Sequence, residues 1–211
     1  MEANKQQLSI EGVIQSLCAA IESKDHYTQG HSIRVADYCV EMAKTISLDD
    51  DNKETLYRAA MLHDIGQIAI EEKIMHKPGK LTQVELLIIQ KHPSTAVKIL
   101  EPLHLPEELL QIVLHHHEWW NGRGYPDGLS VASIPLGARI LAVADAFDAM
   151  TSQRPYRAKM PIPKALDHLE DGAGHQWDPD LVRVFLNFER AVLKKQSNSV
   201  GMVSMWRRYG F

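Results

Sequence analysis

The sequence has little cysteine. Only Cys18 and Cys39 are present, both inside segments with helical apolar spacing and neither in a CxxC pair. That argues against a disulfide framework and against a cysteine zinc site, and makes a reducing cytoplasm the expected setting. Long apolar runs are lacking too. No segment reaches the ~20 residues that cross a bilayer, and the start, MEANKQQLSI, is too polar for a signal peptide. No stretch alternates apolar and polar residues as a half-buried strand would, and there are no repeats or low-complexity segments. A formal net charge of -4 weighs against non-specific nucleic-acid binding, although a local basic cluster could still hold a phosphate. What the chain does have is histidine: 11 of 211 residues, in a composition otherwise ordinary for a globular protein. The length suits one domain with a sizeable core.

Apolar spacing predicts helices almost throughout. Leu8, Ile10, Val13, Ile14, Leu17 and Ile21 mark an amphipathic helix over 7–24, and Val35, Tyr38, Met42 and Ile46 mark a second. A third spans about 52–63 and stops near Gly66. Pro78-Gly79 makes a turn, and Thr82 with Glu85 has capping-box spacing for a helix over 83–91. A further helix runs to about His117, and 118–135 has no helical period. Residues 136–152 form a strongly helical run. Pro155, Pro161 and Pro163 punctuate the entry to the next helix, and Asp178-Pro179 opens a last one to about 195. The fold class expected is all-α, in a single domain.

The first chemical signal is His63-Asp64. Neighbours on a helix point about 100° apart, so both reach one ion only near a helix end, which Gly66 permits. His31 opens the second helix, His92 closes the one that follows the capping box, and His116 and His117 close a later one. Asp145 lies within LAVADAFDAM, where an unpartnered carboxylate would be costly to bury. Imidazoles and carboxylates suit a borderline divalent metal, and five histidines with two aspartates exceed the needs of one ion. They suit two ions with a bridging carboxylate, an arrangement common in phosphate-ester hydrolases. On spacing alone, the same residues are equally compatible with unrelated histidines at helix ends.

Five motifs occur in order: HDIG, KPGKLT, HHEWWNGRGYPDG, IPLGARILAVADAFDAMTSQRPYR and GAGHQWDP. Together they resemble the HD-GYP domains of the HD phosphohydrolase superfamily over roughly residues 10–190. The resemblance implies a helical bundle at 10–195, with a lead at 1–9, a tail at 196–211 and a metal centre in its core. The implied activity is hydrolysis of the bacterial second messenger cyclic di-GMP to pGpG, and then to GMP, by water activated between the metals. It implies two divalent transition-metal ions, iron or manganese. One is held by His31, His63, Asp64 and Asp145, and the other by Asp64, His92, His116 and His117; His115 is left out. A glutamate that gives some members a third ion is replaced here by Tyr27. Arg154 and Arg157 match phosphate contacts, where a guanidinium donates paired bonds. Asp148, one helical turn beyond Asp145, is a further catalytic candidate that could orient a ligand or an arginine. One departure stands out: Gln67 replaces the usual lysine of HDIGK. Losing that charge could slow the reaction by about a hundredfold.

Other residues have bland readings beside functional ones. Tyr125 walls the substrate pocket or is structural; Trp119 and Trp120 stack on guanine or pack beneath the loop. Glu118 supports a histidine N–H or caps its own loop, Arg139 snorkels or pairs beside the core, and Gln176 and Asp178 start a helix. His26, His76, His104, His168 and His175 have no assigned role. Rival functions are a cyclic-dinucleotide sensor that does not cut its ligand, and a hydrolase of 3′,3′-cyclic GMP-AMP or another nucleotide. The resemblance also implies contact with diguanylate cyclases (GGDEF proteins) through the GYP loop. A homodimer is compatible with it, and no nucleic-acid polymer or membrane is expected as a partner.

Overall fold

A computed structural model describes residues 9–24, 30–153 and 159–198, with side chains described as far as residue 192. The described residues form ten α-helices. They are α1 (Ile10–Lys24), α2 (His31–Thr45), α3 (Asp50–Leu62), α4 (Glu72–Met75), α5 (Gln83–Ile89), α6 (His92–Leu100), α7 (Glu107–His115), α8 (Leu136–Thr151), α9 (Ile162–Gly172) and α10 (Pro179–Asn198). Among these residues β pairing is limited to two isolated bridges, Asn121 with Ser130 and Ala173 with Trp177. No described helix is long and apolar enough to cross a membrane.

Helix α8 is the axis. It packs against α2, α7, α9 and α10, and α2 packs in turn on α3. Being surrounded explains its composition: Ala138, Ile140, Leu141, Val143, Ala144 and Phe147 are all buried. Tyr38 from α2, Phe147 from α8 and Phe185 from α10 meet edge to face, with ring centroids 4.8–5.6 Å apart. Each such pair adds about 0.5–1.5 kcal/mol beyond simple burial. Cys18 and Cys39 are buried and unpaired in this core, and burial raises both thiol pKa values, that of Cys18 to about 11. Neither is a ready nucleophile.

Local chemistry sets the ends of the helices. Both halves of the Thr82–Glu85 capping box are formed at the start of α5. Asp178 Oδ1 accepts from the N–H groups of Asp180 and Leu181 at the start of α10. Helix α3 begins two residues before its apolar pattern does, because the Asp49 side chain accepts from Asn52 N–H. One boundary differs in kind from the expectation. His92 does not close the helix after the capping box; that helix ends at Ile89, and His92 is the first residue of α6. Pro93 lacks an N–H and sits readily in a first turn, so the chain restarts there rather than running on.

After α3 the chain tightens into a 3-10 turn, Ile65–Ala69, lying directly against α6. Lys24 clamps this turn from α1, donating to the carbonyls of Gln67 (3.2 Å), Ile68 (2.6 Å) and Ile70. Gly66 is required at the crossing: a Cβ there would stand 1.9 Å from His92 O and 2.7 Å from Ala96 N. The obstacle is backbone and cannot swing aside. Gly66→Ala is therefore expected to cost at least about 2 kcal/mol, measured by urea denaturation. A change within about 0.5 kcal/mol, typical of a neutral surface substitution, would show that the two segments are not in contact.

Candidate metal centre

Five segments deliver side chains to one point. His31 comes from the start of α2, His63 and Asp64 from the end of α3, and His92 from the start of α6. His116 and His117 follow the end of α7, and Asp145 lies on the central helix α8. His31, His63 and His116 are buried, as is His92, against the reading of separate solvated histidines.

Three of the histidines are oriented in the same way. The Nδ1 of His63 lies 2.7 Å from Ala60 O, that of His92 2.8 Å from Ile89 O, and that of His116 2.7 Å from Val113 O. Each carbonyl lies in the last turn of a helix, where it has no helical partner. Donation from Nδ1–H satisfies that carbonyl and leaves Nε2 as the ring's lone-pair donor. His31 is oriented by a side chain instead: its Nδ1 is 2.7 Å from Asp148 Oδ2.

The freed Nε2 atoms turn inward. His31 Nε2 lies 3.7 Å from Asp64 Oδ2 and 3.4 Å from Asp145 Oδ1; for His63 the distances are 3.5 and 3.9 Å. His92 Nε2 lies 3.5 Å from the other oxygen of Asp64, Oδ1, and 3.5 Å from His116 Nε2. Asp64 thus presents one oxygen to His31 and His63 and the other to His92. His92, His116 and His117 form a second group, with ligand atoms within 4.8 Å of one another.

These side chains fit divalent metal ions. The nitrogen-to-oxygen distances exceed the 2.7–3.2 Å of a good hydrogen bond. They match donors that share an ion at about 2.0–2.2 Å. His63 Nε2 is buried with no hydrogen-bond partner, an arrangement a metal bond would repair.

Electrostatics point the same way. Burial tends to raise the pKa of Asp64, but His63, His92 and His31 outweigh it and lower the value. Asp145 is likewise held low despite burial, by His31 and His63. Burial pulls His31 down, yet Asp145 and Asp148 raise it to about 10. Burial, with the neighbouring histidines, lowers His92, His116 and His117, the last to about 4. One half is thus rich in negative charge and the other offers neutral imidazoles.

Asp148 meets both a candidate ligand, His31, and an arginine, Arg34. It is 2% exposed and stands behind His31, with its oxygens taken by His31, by Arg34 (2.6 and 3.0 Å) and by Ser152 (3.0 Å). With its oxygens so engaged it is placed to hold the His31 ring in one orientation. Arg34 and Ser152 escaped the sequence reading. The available signal was Arg34 one helical turn after His31, on the same face.

The loop after α7 folds back on the centre. Tyr125 N–H donates to His117 O (3.2 Å), and its ring lies 4.9 Å from that of His117. Burial first, then the charges of Asp64 and Asp145, raise the Tyr125 pKa, so its hydroxyl stays protonated. Gly124 permits the fold: a Cβ there would stand 2.2 Å from Trp119 N and 2.5 Å from His117 O. The GAGHQW stretch braces the loop from outside, as Gln176 O and His175 O accept from Trp120 and Asn121 N–H at 3.0 Å each. Arg139 pairs with Asp178 (2.7 Å) and lies over the Trp120 ring, and Glu118 caps Asp127 N–H (2.7 Å) within the loop. Gln67 lies in the 3-10 turn directly after Asp64, partly buried. Tyr27, Arg154 and Arg157 lie outside the described residues.

Comparisons with known proteins agree with this architecture. The family model for the HD domain matches residues 15–181. The chain is 39% identical over 171 residues to "3'3'-cGAMP-specific phosphodiesterase 3" of Vibrio cholerae, covering 81% of this chain and 37% of that protein. It is 37% identical over 182 residues to a "Cyclic di-GMP phosphodiesterase" of Thermotoga maritima, covering 85% of this chain and 50% of that one. It therefore spans half or less of the length of these relatives. A crystal structure of the V. cholerae cyclic GMP-AMP phosphodiesterase V-cGAP3 shares the fold, with a TM-score of 0.66 at 20% identity over 89% of this chain and 49% of that one. The match across most of the chain, with the histidine–aspartate constellation in place, makes this protein a member of the HD domain family, of the HD-GYP type.

Proposed function

We propose that the chain is a metal-dependent phosphodiesterase that hydrolyses cyclic di-GMP to the linear dinucleotide pGpG and onward to GMP. The observation that carries the reading is the division of Asp64, with one oxygen toward His31 and His63 and the other toward His92. A carboxylate divided in this way suits two ions, which we assign as iron or manganese. His31, His63, Asp64 and Asp145 would hold one, and Asp64, His92, His116 and His117 the other. Divalent ions in these positions supply Lewis-acid charge for a phosphodiester and lower the pKa of water.

The chain's own groups do the rest. The last-turn carbonyls and Asp148 hold the imidazoles in one tautomer and one orientation. His63 and His116 are sealed, at 0% and 1% exposure, whereas the Asp64 and Asp145 side chains keep 15% and 18%. A phosphodiester would thus approach from the carboxylate side, beneath Tyr125, which walls the pocket. Gln67 donates a neutral hydrogen bond where a lysine would bring charge, and Arg154 and Arg157 hold the non-bridging phosphate oxygens. The loop from Glu118 to Pro135 is, in the same reading, a contact for diguanylate cyclases. A homodimer in the cytoplasm completes it.

The relatives divide between cyclic di-GMP and 3'3'-cGAMP in their names, so both nucleotides belong in the assay. Protein purified with its metal retained is expected to carry about two ions per chain and to convert cyclic di-GMP to pGpG, followed by chromatography. Asp64→Ala should lose both activity and metal. Absence of turnover with iron(II) or manganese at full loading would sink the enzyme reading, and tight binding without turnover would assign a sensor instead. Conversion of 3'3'-cGAMP alone would reassign the substrate.

Two variants test supporting residues. Gln67→Lys is expected to raise kcat by roughly ten- to a hundredfold, because the added charge acts where the transition state is most negative. An unchanged kcat would remove Gln67 from the phosphate site. Asp148→Asn should lower metal affinity at the His31 position by about 10–100-fold, the usual cost of losing an outer support. Metal content read at graded chelator concentrations checks this, and an affinity equal to wild type would show that His31 needs no such support.

A further inference from the structure

Beside the centre, the end of α7 and the loop after it carry a second cluster whose residues are not among the seven assigned above. His115 is 4% exposed and Glu118 3% exposed. His115 Nε2 lies 3.0 Å from Gln111 Oε1, and Gln111 Nε2 donates to Glu107 Oε1 at 2.7 Å. The second bond fixes the Gln111 amide so that its oxygen faces the imidazole. His115 Nε2 therefore carries a hydrogen, and Nδ1 is the ring atom left to ligate.

That nitrogen meets two carboxylates. His115 Nδ1 lies 3.7 Å from Glu118 Oε1 and 3.8 Å from Asp127 Oδ2. His115 Nδ1 and Glu118 Oε2 are both buried with no hydrogen-bond partner. An acceptor left so in a protein interior costs about 1–3 kcal/mol. The distances are too long for hydrogen bonds but near those between donors that share one ion at about 2.1 Å. The main centre shows the same spacing between its histidines and aspartates. Glu118 is held in place by Asp127 N–H on Oε1 (2.7 Å), while the Asp127 side chain, 57% exposed, faces solvent.

We propose that His115, Glu118 and Asp127 form an additional divalent-cation site, of the zinc type, that clips the glycine-rich loop onto the end of α7. One imidazole with two carboxylates is a ligand set suited to zinc, and the open Asp127 side leaves room for water as a fourth ligand. The site joins residue 115 to residue 127, so an ion there closes the base of the loop that carries Tyr125. Its position directly before His116 and His117 couples that closure to the main centre.

The test uses the full chain with its main centre preloaded with manganese. Wild type and Asp127→Asn are equilibrated with micromolar zinc, passed through gel filtration and analysed for metal, and their crystals are examined by anomalous scattering at the zinc edge. Asp127 is exposed and its backbone N–H is untouched, so this variant should fold. Wild type should retain about one zinc per chain more than Asp127→Asn. The wild-type map should show a peak between His115, Glu118 and Asp127 that the variant lacks. Equal zinc in both proteins, or a wild-type peak only among the ligands of the main centre, overturns the proposal. Neither measurement reads turnover, so its failure is distinct from a failure of the phosphodiesterase reading.

Discussion

Two ionised carboxylates in the heart of a helical bundle are the constraint to which the rest of the molecule answers. Asp64 and Asp145 sit among packed helices, where an isolated negative charge would neutralise by taking a proton. Their pKa values are instead held low, because imidazoles surround them within 3.4–3.9 Å. Positive charge, whether from protons on histidine or from metal ions, is thus a condition of the fold as well as of the chemistry. It explains why distant parts of the chain converge here and why α8, the most enclosed helix, carries an aspartate at its centre.

Convergence alone would not make useful ligands. Helix ends expose carbonyls without partners, and buried imidazoles expose an N–H that needs one. Placing His63, His92 and His116 three residues beyond a last-turn carbonyl satisfies both and aims each Nε2 the same way. The centre is therefore assembled largely from helix termini, and the chain must stop and restart often around it. The 3-10 turn after Asp64, the break between α5 and α6, and the loop after α7 are the places where the candidate ligands are set. Gly66 lets the first of these lie against the second, and the Lys24 ammonium holds it from the other side.

Much of this was legible in the sequence. Helical period, the Thr82–Glu85 box and the Asp178-Pro179 start are local signals, and they fix local structure. The histidines and aspartates were visible as residue types, but spacing could not tell a cluster from scattered surface histidines; burial does that. Asp148 illustrates the limit. Its place one turn beyond Asp145 reveals a shared helix face, but not that Arg34 arrives from α2 to join Ser152, at the end of the same helix, on its oxygens. His92 illustrates another. A proline beside it is compatible with ending one helix or beginning the next, and the contact with Gly66 belongs to tertiary packing that no local pattern encodes.

The triple histidine shows most clearly how position overrides composition. His115, His116 and His117 are adjacent in sequence, yet each ring has a different environment. His116 spends its Nδ1 on the Val113 carbonyl and points to His92; His117 stacks toward Tyr125; His115, on the last turn of α7, faces Gln111, Glu118 and Asp127. The helix ends between the first of them and the next two, and His115 falls in a different cluster from that pair, whose ring centroids lie 4.0 Å apart. The loop that follows then returns its own backbone to His117, through Tyr125 N–H and the Gly124 approach. A loop anchored to His117 cannot move far without moving that candidate ligand. In this fold, the loop over the centre and the centre's own geometry are therefore one mechanical unit.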